Sequence, residues 1–416
     1  MSRSTVDNYF AKISGTRKRR FVPLRVQTRV NITVDILLPS RVPDSTLRPY
    51  LENEAVAIEC GAKKGQHTKS NVIMETSMAP SKSLQLAEKA CGLCQMPGRT
   101  MRCSRCQVIY YCSREHQAQH RTAHKSACSK IGKTRTTLAA EEQKLRDMPA
   151  DILFPGDVFN SSVGHFWGII ETRPYMRARS AYIHALMEVD SRESVQLQLE
   201  HAWDMLRLCR GDNIGIRDAI PGAMLQLGMD QECYDFLKWY ETTGQLPDYD
   251  WGDVEQPFLD VKDADAFEDV GYVCHRFLGV TVGAGVMLVK VRMLLDLKDL
   301  HMQSTSTNIS ANTTGPVQLR SSIIAKNTEF LQRSDHTAAI QLLEGQVKDI
   351  YKAIHSSNKH FWEVLLEPED HLPAMPGYYS PGELSEMQAM LRYFYPAWAM
   401  TPGALELAEE LTKGKL

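Results

Sequence analysis

Between Cys91 and Cys128 the chain sets eight metal-seeking side chains in one run: Cys91-x2-Cys94-x8-Cys103-x2-Cys106-x5-Cys112-x3-His116-x7-His124-x3-Cys128. No other feature constrains the fold as tightly. A tight turn in each Cys-x2-Cys knuckle brings two sulfurs within tetrahedral reach of one ion. Cys112 with His116, and His124 with Cys128, sit at i and i+4, so each pair projects from one helical face. Eight ligands make two four-coordinate sites without an open position, which is the signature of structural zinc rather than of a Lewis-acid catalyst. Reduced core cysteines or thioredoxin-like redox pairs account poorly for eight ligands in so short a segment. The expected cofactor is therefore Zn²⁺, two per chain, with no catalytic residue. Spacing alone allows the ligands to pair sequentially, first four and last four, or to interleave.

Cysteine placement agrees with a metal site. Six of the ten cysteines lie in this segment, and the others are Cys60, Cys209, Cys233 and Cys274. A secreted disulfide framework would spread through its domain and follow an apolar leader. Here the N-terminus is polar, and the longest apolar window, Phe277 to Val289, is too short for a span of roughly 20 residues. The expectation is an intracellular protein, nuclear or cytoplasmic, without membrane partners. The net charge of −2 hides a basic head and an acidic middle. Residues 1–50 hold ten Lys and Arg against Asp7, Asp35 and Asp44, whereas residues 241–270 hold ten acidic residues against Lys262.

Patterning predicts a mostly α chain in five parts. Residues 1–82 form a basic segment, β or partly disordered: apolar residues alternate with polar ones from Leu24 to Ile36, and the one obvious partner run is Ala55 to Ile58. The finger occupies 88–130. A helical-hairpin domain spans 161–300, where stripes at Tyr175–Val189, Val195–Cys209, Ile216–Leu227 and Cys233–Tyr240 recur at helical spacing. Pro221-Gly222 marks a restart in the third stripe. An acidic segment over 244–270 precedes a strongly apolar helix at 280–300. A Ser/Thr/Asn-rich disordered loop is expected at 301–318, and a C-terminal helical region at 319–416. The last region includes a helix at 381–396 opened by Pro381 at its first position.

The segment 91–128 resembles a MYND zinc finger through the double knuckle, Val108-Ile109-Tyr110-Tyr111-Cys112-Ser113, Gln117, His124-Lys125 and Cys128. The resemblance implies interleaved sites: Cys91, Cys94, Cys112 and His116 in one, Cys103, Cys106, His124 and Cys128 in the other. Each would carry about −1 formal charge with Zn²⁺, which Arg99, Arg102, Arg105, Arg114 and Arg121 could offset. His116 stands where the family usually has a sixth cysteine. His120 stands in place of the tryptophan that helps such fingers hold proline-rich peptides, and could itself compete for zinc. The downstream helices, with Glu171 to Arg177 and Asp248 to Asp253, are similar to uncharacterised fungal MYND-finger proteins. The stretch Ala185 to Tyr240 resembles tetratricopeptide-like hairpins.

These readings favour a non-enzymatic protein–protein interaction module on a helical scaffold, with a nuclear regulatory role in view. MYND fingers also occur within SET-domain methyltransferases, but the Asn-His-Ser-Cys type segment of that cofactor pocket is missing from 133–416. The alternative is phosphate binding to nucleic acid through the basic head and the finger arginines. Smaller signals are a sliding-clamp-like peptide at Ser4–Phe10 and a basic run at Arg17–Arg20. Asp248, Asp250 and Asp253 lack calcium-loop spacing and read as an exposed acidic loop. The finger is too small for its own apolar core and should depend on metal, whereas the helical part should not.

Overall fold

A computed structural model describes residues 21–27, 33–39, 86–152, 154–305 and 318–415. The clamp-like peptide, the run Arg17–Arg20, Cys60, Ala55–Ile58 and most of the Ser/Thr-rich loop lie outside these residues. The backbone divides into two compact units, 1–78 and 79–416.

In the first unit, the alternating run is split into two strands, β1 (Phe21–Gln27) and β2 (Thr33–Pro39), paired antiparallel with each other. The register sets Val22 opposite Leu38, Leu24 opposite Ile36 and Val26 opposite Val34. The partner of this run is thus its own second half, because an antiparallel pair needs only a short reversal to bring the alternating halves into register.

The second unit begins with the finger, whose only described strands are the two-residue pair β3 (Met101–Arg102) and β4 (Tyr110–Tyr111). From it emerges α1 (Arg114–Asp147), 34 residues long and capped by the Ser113 hydroxyl, which accepts from the His116 N–H. A single turn, α2 (Val158–Ser161), leads to α3 (Arg173–Leu186) and α4 (Arg192–Leu208), a hairpin closed by the turn at 187–191. Both helices bury the predicted stripes. α1 packs along α3 through Ile131, Leu138 and Leu145, spaced by sevens on one face.

A 3₁₀ turn at Ile216–Ala219 precedes α5 (Ile220–Gln226), which restarts with Pro221 in its first turn, and α6 (Asp230–Glu241) follows. Gly222 touches the backbone of the C-terminal helices so closely that a Cβ there would sit 1.8 Å from the Tyr393 carbonyl oxygen. The acidic segment then runs as turns, fastened by Arg210, whose guanidinium donates to the carbonyls of Asp253, Val254 and Gln256.

The long apolar helix is α7 (Val280–Thr305), buried on nearly all sides from Val280 to Leu297. After α8 (Ser322–Lys326) and α9 (Thr328–Gln332), α10 (Thr337–Ser357) lies against it; α11 (Phe361–Leu366), α12 (Leu384–Ala399) and α13 (Ala404–Thr412) complete the unit. α5, α6, α10, α12 and α13 all contact α7. α12 starts at Leu384 with Glu383 as its cap, so Pro381 precedes the helix instead of opening it. The intervening Gly382 takes a left-handed φ of 82°, which breaks helical continuity.

α7 is apolar in pattern but carries three buried charges, each with partners. Arg292 donates to Asp230 at 3.0 Å, to the Leu225 carbonyl and to the Thr401 hydroxyl. Asp296 accepts from the N–H groups of Arg320 and Ser321. Lys290 donates to the Ala266 carbonyl and the Gln346 side chain. Removing one partner of a buried pair strands the other charge. Asp230→Ala should therefore destabilise the helical unit by about 3–5 kcal/mol in urea unfolding, whereas Asp230→Leu combined with Arg292→Met should recover much of that loss.

His184, on α3, meets the Tyr393 hydroxyl at 3.0 Å, and burial lowers its pKa to about 4. A folded pKa below the unfolded value of about 6.5 means that its stabilising contribution is complete above pH 6.5 and is lost as pH falls towards 4. The urea midpoint should decline across that window, and His184→Gln should flatten the decline.

Candidate metal centre

The two knuckles are built alike. In each, the residue after the second cysteine adopts a left-handed conformation, Gln95 at φ 57° and Gln107 at φ 63°. Each donates its N–H back to the first cysteine's carbonyl, at 2.9 and 3.0 Å. This turn folds two sulfurs of each knuckle onto one side. β4 then brings Cys112 up to the first knuckle, and α1 supplies His116, His124 and Cys128 from one continuous helix.

The ligand atoms converge as two interleaved groups. Cys91, Cys94, Cys112 and His116 form one, and Cys103, Cys106, His124 and Cys128 the other; within each, all four atoms lie within 4.8 Å of one another. Cys91 Sγ is 3.4 Å from His116 Nδ1, and Cys94 Sγ is 3.4 Å from Cys112 Sγ. In the second group Cys103 and Cys128 sulfurs are 3.7 Å apart, and Cys106 Sγ is 3.4 Å from His124 Nε2. Ligands at tetrahedral angles around zinc stand about 3.8 Å apart for two sulfurs and about 3.6 Å for sulfur and nitrogen. Both groups fit zinc in spacing and donor chemistry. The sequential pairing that spacing permitted is not the one the fold adopts.

The groups differ in setting. Cys94 and Cys112 of the first are exposed, while all four residues of the second are buried. Burial alone would raise the Cys91 thiol, but the N–H groups of Cys94 and Leu93 and the His116 ring outweigh it and hold the pKa at about 5. Burial pushes Cys106 up to about 12 and lowers His124 to about 4. His124 is therefore neutral near pH 7, the state in which imidazole binds metal.

His120 belongs to neither group. Its Nδ1 lies 3.1 Å from the Tyr111 hydroxyl, and its ring stacks on that of His124. It presses so closely on Gly92 that a Cβ there would approach within 2.8 Å of the ring, which explains why glycine follows the first ligand. The imidazole is thus a packing element of the finger rather than a competing ligand.

The finger is anchored to the helices. Ser191, the cap of α4, also donates its hydroxyl to the Val108 carbonyl at 2.6 Å; the Lys89 N–H reaches Glu193 at 2.6 Å; Lys130 pairs with Glu188. None of these contacts was legible in the sequence. A Cys-x2-Cys-Gln repeat was a usable signal for the paired turns.

A compact fold crossed by two closed Cys3His groups defines a structural zinc finger. Residues 90–128 match the family model of the MYND finger, so the chain carries a MYND finger at the head of a mostly helical unit. No curated protein and no solved structure gives a significant match. Among the described residues, no helix is long and apolar enough to cross a membrane.

Elemental analysis of the purified chain should find two zinc ions per molecule. Cys103→Ser should remove one and leave the other; retention of both would show that Cys103 is not a ligand.

Proposed function

We propose that the protein is a non-enzymatic interaction module: the zinc-loaded finger contacts a protein partner, and the helices hold the finger in a fixed pose. The carrying observation is that both metal groups use four protein ligands each, which leaves the ions coordinatively closed. Such zinc holds shape and offers no position for a substrate. Cys91, Cys94, Cys103, Cys106, Cys112, His116, His124 and Cys128 are the proposed ligands. The stretch Ala185 to Tyr240, which holds α4 to α6, is the proposed tetratricopeptide-like element of the scaffold, and Glu188 and Ser191 at its start meet the finger directly. A nuclear regulatory setting and proline-rich peptide partners are part of this reading. For the latter, His120 stands half-buried between Gly92 and Tyr111 where the family usually has a tryptophan, so the aromatic surface it offers is smaller.

A second reading, phosphate binding to nucleic acid, is favoured by one observation. Residues 91–137 hold nine Lys and Arg against the single acidic residue Glu115. Binding of that kind would weaken steeply with salt and show little sequence preference.

Affinity capture should discriminate. The intact chain should retain a reproducible set of proteins that a Cys103→Ser, Cys106→Ser variant loses. Equal capture by both forms would contradict a zinc-dependent interaction surface.

A further inference from the structure

Arg105, Arg114 and Arg121, like Arg99 and Arg102 of the same finger, form no ion pair with any described residue, whereas Arg179, Arg207, Arg292 and Arg320 each meet a carboxylate. The first three line one hollow of about 300 Å³ beside the second metal group, together with Ser104, Gln117 and Tyr111. Arg114 and Arg121 are seven residues apart on α1, so they share a helical face about 10 Å apart along the axis. Arg105 comes from the second knuckle and also borders a neighbouring hollow with Lys133 and Arg135. From residue 116 to 140 the helix has no Asp or Glu.

Part of this charge has an internal use. The floor of the hollow includes Cys103, His124 and Cys128, and a Zn²⁺ held by three thiolates and one imidazole carries a formal charge of about −1. Three guanidiniums against that leave about +2 facing solvent. Guanidinium is planar and presents paired donors that match carboxylates in a bidentate fork. Gln117 adds a side chain able to donate to or accept from a peptide backbone.

Resting on the interaction reading above, we propose that this hollow is the docking site for an acidic segment of a partner protein. The segment lies extended along α1 and places carboxylate side chains between Arg105, Arg114 and Arg121. The concavity favours a peptide over a nucleic-acid duplex. A volume of about 300 Å³ admits side chains one at a time, whereas a duplex meets convex ridges or a helix free to enter its major groove. Exposed stacking aromatics, which single strands need, are also missing from the lining, where Tyr111 is buried.

The test uses the zinc-loaded full chain and fluorescence anisotropy with a labelled short peptide of alternating glutamate and glycine. Its glutamine counterpart should bind about tenfold more weakly or not at all. Arg114→Gln and Arg121→Gln should each weaken the glutamate peptide about five- to tenfold, with a smaller loss for Arg121→Lys. Lys352→Gln, an equal charge change remote from the hollow, should leave binding unchanged. Zinc content and circular dichroism identify any variant that fails to fold; for such a position the lysine replacement gives the reading. Equal binding of the glutamine peptide, or no effect of the arginine variants, overturns the proposal. So does tighter binding of a labelled DNA duplex through the same arginines. If these variants keep zinc-dependent capture of partners but the acidic peptide does not bind, the partner chemistry is wrong and the interaction module stands. Loss of zinc dependence in capture would remove the broader reading instead.

Discussion

Metal coordination is the interaction on which the first part of the compact unit depends. The finger's apolar residues are few, and its strands are two residues long, too short to hold together by their own hydrogen bonds. The interleaved groups tie the first knuckle to β4 and the start of α1, and the second knuckle to a point two turns further along the same helix. Each site therefore closes a different loop of chain onto one rigid rod. Structural zinc sites of this kind contribute about 10–16 kcal/mol in small fingers, far more than so small an apolar cluster supplies.

That rod links the finger to the helical residues. α1 gives its first four turns to metal ligands and the remainder to packing on α3, where Ile131, Leu138 and Leu145 are buried. Ser191 serves both sides, capping α4 and donating to the Val108 carbonyl of the finger. Loss of metal would release the knuckles and the start of α1 while leaving its later turns their apolar contacts. Deeper in the unit, α7 is held in register by buried charges that each find a partner on a different neighbour: Asp230 from α6, Gln346 from α10, and Arg320 ahead of α8. Such pairs add little net stability over apolar packing, yet they penalise any arrangement that separates them.

The metal site was the most legible part of the sequence, since thiolates and imidazoles at fixed spacing have few other uses. The helices from α3 to α7 were also plain, because one-sided burial writes a 3.6-residue period. Three features were hidden for physical reasons. The length of α1 escaped notice because its face against α3 needs only one large apolar residue per two turns, and threonines and lysines fill the rest. The helix α12 was placed too early because Ser-Pro-Gly-Glu reads as a helix start, whereas the left-handed φ of Gly382 cannot be seen in the letters. The run from Leu24 to Ile36 looked like one strand because alternation does not record where a chain reverses. α7 misled in the opposite sense: its charges were visible, but their burial depends on partners 24 to 109 residues away.

The central claim is that the ligands interleave, so that both ions share α1. Cadmium NMR of the cadmium-exchanged protein tests it directly, because the chemical shift reports how many sulfurs surround each ion. Interleaving predicts two resonances, both in the range of three sulfurs and one nitrogen. One resonance typical of four sulfurs with a second typical of two sulfurs and two nitrogens would show sequential pairing and contradict the account.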